Sequence, residues 1–97
     1  MSATKQLAAW VADHCNDDWE HSYGVKIETL DNPGWALHID LADTALLKKQ
    51  FTPLKSDRAD NDWIDCRVEN AVFHGYGGLQ NIDELIAIFL SWATESV

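Results

Sequence analysis

The chain of 97 residues is short of cations: 7 Lys and Arg stand against 16 Asp and Glu, a formal charge of −9. A surface this acidic is repelled by nucleic acid phosphates and anionic lipid headgroups, which argues against both as partners. Proline (2) and methionine (1) are scarce, and the two cysteines lie far apart at positions 15 and 66. Such sparse cysteine fits neither a disulfide framework nor a CxxC zinc site, and no HxxxH or HExxH pair occurs. No apolar run reaches transmembrane length, and the N-terminus has no basic segment followed by an apolar one. The expectation is a reduced cytoplasmic protein with two unpaired thiols. Repeats, linkers and low-complexity segments are also missing, so residues 1–97 read as one domain.

What the chain does have is apolar mass. Hydrophobic residues make up 46% of it, including five Trp, enough for one core without metal or disulfide. The acids are uneven. Seven (Asp60, Asp62, Asp65, Glu69, Asp83, Glu84, Glu95) fall after residue 58 against one base, Arg67. Lys48, Lys49, Lys55 and Arg58 sit mid-chain.

Periodicity divides the sequence. Over residues 4–16, Leu7, Trp10, Val11 and His14 share one face of an amphipathic helix that should stop at Asn16-Asp17-Asp18. From Tyr23 the pattern alternates: Val25, Ile27 and Thr29 on one side, Lys26, Glu28 and Leu30 on the other. Asp31-Asn32-Pro33-Gly34 reverses the chain, with Pro33 and Gly34 expected as the central pair of a type II turn and Gly34 at positive φ. Trp35, Leu37, Ile39 and Leu41 form the clearest apolar strand face. Residues 42–50 read as a polar connection with a helical turn near Ala45-Leu46-Leu47. A third strand spans Phe51 to Arg58, and Pro53 argues for an edge or an irregular start. Trp63 to Glu69 alternates with Ile64, Cys66 and Val68 inward. After a tight Asn70-Ala71 reversal, Val72 to Tyr76 is a fifth strand. Asn81 then caps a helix, with Glu84 completing a capping box and Ile82, Leu85, Ile86, Phe89, Trp92 and Ala93 as its buried stripe.

The expected fold is therefore α+β: an antiparallel sheet of about five strands in a meander, with N- and C-terminal helices packed on one face. The other face stays open and carries Lys26, Glu28, His38, Asp40, Trp63, Asp65, Arg67 and Glu69.

Chemistry is thin. Cys66 precedes Arg67 but faces the core, and Cys15 ends a helix, where the dipole opposes a thiolate. Both read as structural. Gly75 to Gly78, before a helix, resembles a phosphate loop only weakly, because no Lys-Ser/Thr follows and no βαβ unit can be completed. These glycines suit a tight strand-to-helix crossing. Glu20-His21 beside Trp19 is the best acid-base pair, set against a bland reading in which Glu20 or Asp18 caps a turn and His21 packs nearby. Trp10, Trp35 and Trp92 belong to the core, Trp19 to a loop, and Trp63 to the open face as a candidate anchor.

Three segments, CNDDWEHSYGVKIETLDNPGW, NDWIDCRVEN and FHGYGGLQNIDELIAIFLSW, resemble the Imm53 family of bacterial immunity proteins. The resemblance runs from the Trp10 helix to Trp92 and is weakest over 42–59. Asp17 stands where that family commonly has Gly. The resemblance implies a small cytoplasmic antitoxin, no cofactor and no catalysis, with a cognate toxin domain as partner. Nuclease toxins tend to be basic, so an acidic inhibitor would be steered to them. The residues nominated for contact are Trp63, Asp65, Arg67, Glu69, Glu28, His38 and Asp40, with Asp18, Trp19, Glu20 and His21 as a secondary corner. The rival is a small enzyme or small-molecule binding module built on that corner.

Overall fold

The computed structural model describes residues 2–95. Its elements run α1 (Ala3–His14), α2 (Trp19–Ser22), β1 (Val25–Leu30), β2 (Gly34–Asp40), β3 (Leu54–Ala59), β4 (Asp62–Glu69), β5 (Val72–Gly77) and α3 (Ile82–Thr94). The strands form one fully antiparallel sheet. The α+β class and the two terminal helices are as the periodicity implies.

The strand order is β1-β2-β5-β4-β3, not a simple meander. Two meandering pieces, β1-β2 and β3-β4-β5, join by pairing β2 with β5. The side chains decide this. Phe73 of β5 is fully buried, and an ideal β-carbon on Gly75 or Gly77 would meet Leu85 of α3 at 3.5 and 3.3 Å. A strand that lets a helix approach so closely belongs under that helix, at the centre. Strand β3, LKSDRA, is almost wholly exposed and cannot fill a central slot, so Pro53 was the better guide to its edge position. The long connection 41–53 carries the chain to that far edge. Leu46 in it is buried, Phe51 packs edge-on against Phe73 and Trp92 at 5.4 and 5.3 Å, and the Trp92 indole donates to the Gln50 carbonyl at 2.8 Å.

The core lies between sheet and helices. Leu37, Ile39, Ile64, Cys66 and Phe73 meet Leu85, Ile86, Phe89 and Trp92 of α3 and Leu7 and Trp10 of α1. Trp10 stands edge-on to Phe89 at 4.9 Å and to Trp19 at 5.9 Å. Trp19 is thus a core residue, 2% exposed, and not a loop aromatic. Its indole N–H, 3.0 Å from the Ala42 carbonyl, explains how its polar end can be enclosed.

Two local expectations are corrected. None of the described glycines has positive φ, and Gly34 pairs with Leu30 as the first residue of β2. The loop is Asp31-Asn32-Pro33. Gly34 is needed for close approach, because a β-carbon there would collide with the backbone carbonyl oxygen of Gly77. Asn81 does occupy the N-cap of α3, but its side chain makes no capping bond. Its Oδ1 instead accepts from the Trp63 N–H, and its Nδ2 donates to Asp62 and Glu84. The residue ties α3 to β4, which outranks local capping because Asn81 is buried.

Candidate functional site: the open sheet face

Both helices cover one side of the sheet. Cross-strand register fixes what the other side presents. Lys26 opposes His38, His38 opposes His74, and His74 opposes Arg67; Ala36 opposes Tyr76, which opposes Asp65. Lys55 opposes Asp65, and Asp57 opposes Trp63. All seven nominated residues therefore project to one face: Glu28 from β1, His38 and Asp40 from β2, and Trp63, Asp65, Arg67 and Glu69 from β4.

The centre of that face belongs to residues the alternation reading left out. With β5 in the middle, His74 and Tyr76 stand between β2 and β4. The Tyr76 hydroxyl lies 3.1 Å from His38 Nε2 and 3.5 Å from His74 Nδ1. His38 and His74 are edge-on at 5.0 Å, and the Arg67 guanidinium sits over the Tyr76 ring at 5.7 Å. His74 Nε2 faces the Glu69 carbonyl at 3.3 Å. If Nε2 donates there, Nδ1 is left to accept from the tyrosine hydroxyl, which in turn accepts from His38. The result is an aromatic patch linked by hydrogen bonds through the Tyr76 hydroxyl. Burial, and then the proximity of His74, hold His38 below the ordinary imidazole range, against the opposing pull of Glu28 and Asp40.

Trp63 is at one end of the face, not its centre. It is half-buried, and its ring edge contacts the space above Gly34, at 3.4 Å from an ideal β-carbon there. It walls a hollow of about 380 Å³ with Lys55, Asp57 and Asp65. A smaller one, about 260 Å³, lies at the other end between Lys26, Glu28, His38, Asp40 and His74. Asp40 is partly spent, because its Oδ2 accepts from the Gly24 N–H at 2.9 Å. Arg67 and Glu69 pair at 3.3 Å, both well exposed. The face carries five carboxylates and three cations, so most of the excess negative charge lies elsewhere.

The corner Asp18-Trp19-Glu20-His21 is remote from this in character. Glu20 accepts from the backbone N–H groups of Asn16 and Asp17, both at 2.9 Å. Backbone hydrogen bonding holds its carboxyl below the usual range, so it is a turn-capping anion and a poor general base. Asp17 has φ 74°, in the left-handed region that Gly adopts most readily. Cys15 is exposed and Cys66 buried, and both are free. Among the described residues no three His, Cys, Asp or Glu side chains group as metal ligands would. Among the same described residues no helix is long and apolar enough to cross a membrane.

The family of immunity protein 53, Imm53, matches residues 4–94. The chain belongs to the Imm53 family. No curated protein and no solved structure matches it. Immunity proteins act in toxin systems, so membership of the Imm53 family implies a cognate toxin as a protein partner.

Proposed function

We propose that this Imm53 protein is a cytoplasmic, non-enzymatic antitoxin that binds a cognate toxin domain through its open sheet face and covers a basic active-site surface. The observation carrying this reading is that face itself: an uncovered sheet whose middle is Tyr76, His38, His74 and Arg67, flanked by Trp63. Tyr, Trp and Arg are the residues that anchor interfaces, and the contacts that Tyr76 and Arg67 already make limit the side-chain entropy lost on docking. The net charge of −9 on the molecule as a whole would steer a basic partner. The corner enzyme has less support, since Trp19 is enclosed and Glu20 is committed to two backbone amides.

The test is calorimetric titration of the cognate toxin domain against Tyr76→Ala, Trp63→Ala and Glu20→Gln, each first shown to be folded. Loss of a central anchor should cost at least ~2 kcal/mol of binding, about thirtyfold in affinity. Tyr76→Ala should exceed Trp63→Ala, because Tyr76 is central. If both face variants bind like the parent while Glu20→Gln loses affinity, the interface is the corner by α2 and the open-face reading is wrong.

A further inference from the structure

The two edges of the sheet are not alike. Strand β3 is blunted: Pro53 precedes it, its pairing slips between Asp57 and Ala59, and Arg58 is drawn to Glu84 of α3. These are the usual devices against strand addition. Strand β1 has no proline or bulge. It ends the sheet, pairs with β2 in unbroken register, and Lys26 through Thr29 are all exposed.

The outward hydrogen-bonding groups of β1 can be identified. The Asp40 N–H donates to the Gly24 carbonyl, so the Gly24–Asp40 pair is a hydrogen-bonded one. In an antiparallel ladder such pairs alternate. Lys26 and Glu28 therefore bond inward to β2, and Val25, Ile27 and Thr29 turn their N–H and C=O groups to the free edge. An added antiparallel strand must satisfy those three residues.

The sequence VKIETL is its own complement about Ile27. Turned through a two-fold axis there, it places Ile27 opposite Ile27, Val25 opposite Thr29, and Lys26 opposite Glu28, twice. The backbone parity agrees with this register, since Ile27, Val25 and Thr29 become the hydrogen-bonded pairs. Lys26 and Glu28 fall in the closer, non-bonded positions, where opposite charges attract most. Ile27, 43% exposed on the helix side of the sheet, would be covered by its counterpart.

We infer that β1 is a dimerisation edge whose occupant is β1 of a second copy, giving one continuous ten-stranded sheet. The axis stands perpendicular to the sheet, so both helical layers lie on one side and the two open faces adjoin on the other. A six-residue edge is at the small end of specific interfaces, so the dimer forms at micromolar, not nanomolar, concentration.

Sedimentation velocity of the whole chain over a concentration series, without toxin, tests this independently of the proposed function. The parent should show a monomer–dimer equilibrium. Lys26→Glu or Glu28→Lys alone sets like charges opposite at two sites and should weaken the dimer roughly tenfold or more. The double exchange, Lys26→Glu with Glu28→Lys, should restore it, which no general change of net charge would do. A parent that stays monomeric to millimolar concentration overturns the inference, even if a toxin strand then proves to occupy the edge. So does a dimer indifferent to the single reversals, or one that the double exchange fails to restore.

Discussion

At Ala71 the backbone sits at φ 63°, directly after Asn70 at φ 55°. Glu69 and Val72 pair across them, so they are the central residues of a two-residue hairpin turn with both φ positive, a type I′ turn. Asn suits the first place. Ala at the second carries a β-carbon against the following carbonyl, where Gly would not. Ala71→Gly should therefore raise stability by about 0.5–1 kcal/mol, although Gly elsewhere usually lowers it. Gly34→Ala should do the reverse, costing about 1–3 kcal/mol through the clash with the Gly77 carbonyl. Urea denaturation of both variants is the check, and two changes of the same sign would refute the backbone assignments. The thiol of Cys66 gives a second residue-scale expectation. Burial, then Asp65 and Glu84, push it up to about 12 from 9.0. The buried form is neutral, so its contribution is whole below pH 9 and fades as pH rises toward 12. Cys66→Ala should cost about 1–2 kcal/mol at pH 7, and the gap to the parent should shrink at pH 10. Alternation alone placed Cys66 inside. It could not reveal that Gly34 answers a neighbour 43 positions away, since close approach is a tertiary fact.

Among the elements, α3, β3 and β4 are stitched together by one polar knot. Arg58 bonds Glu84 at 2.7 Å and Asp62 at 2.8 Å, and Asn81 reaches both carboxylates while accepting from the Trp63 N–H. The two members differ in burial, and burial decides their worth. Asn81 is 5% exposed. Removing it strands the Trp63 N–H, so Asn81→Ala should cost about 1–3 kcal/mol. Arg58 is solvent-exposed and its ion pairs are screened by water, so Arg58→Ala should cost clearly less than Asn81→Ala. The Asn81 hydrogen bond, then Arg58, hold Asp62 low, and Arg58 chiefly does so for Glu84. Both folded values lie below the unfolded ones, so the knot stabilises above the carboxylate range and is lost as pH falls through it. A thermal-melt series from pH 7 to 3 should show Arg58→Ala converging on the parent at the acid end. Element existence was legible in the sequence because the periods of 2 and 3.6 were clean. Element order was not. Short turns favour neighbours in sequence, and only the polarity of β3 against the glycines of β5 betrays which strand is central. The same gap hid His74 and Tyr76, which matter to the open face only once β5 lies in its middle.

For the whole molecule, charge and anchor act on different rates. The open face holds few of the surplus acids, so the field felt by an approaching basic toxin comes from the molecule as a whole, whose formal charge is −9. Diffusional steering reads that total field and is screened over about 10 Å at 0.1 M salt. Association with the toxin should accordingly slow severalfold between about 0.05 and 0.5 M salt, while dissociation barely changes. Asp65→Asn with Glu69→Gln removes two charges on the face and should lower the association rate modestly and flatten its salt slope. An acid pair far from the face, Asp13→Asn with Asp83→Asn, removes the same charge from exposed helix positions. If the face is the interface, the second pair should have the smaller effect, because its charges stay farther from the partner at contact. Tyr76→Ala should act on the other limb, speeding dissociation at every salt concentration, since a desolvated anchor is not screened. Stopped-flow association and dissociation across a salt series separates the two. An equal loss of association rate from both acid pairs, with Tyr76→Ala leaving dissociation unchanged, would move the interface off the sheet.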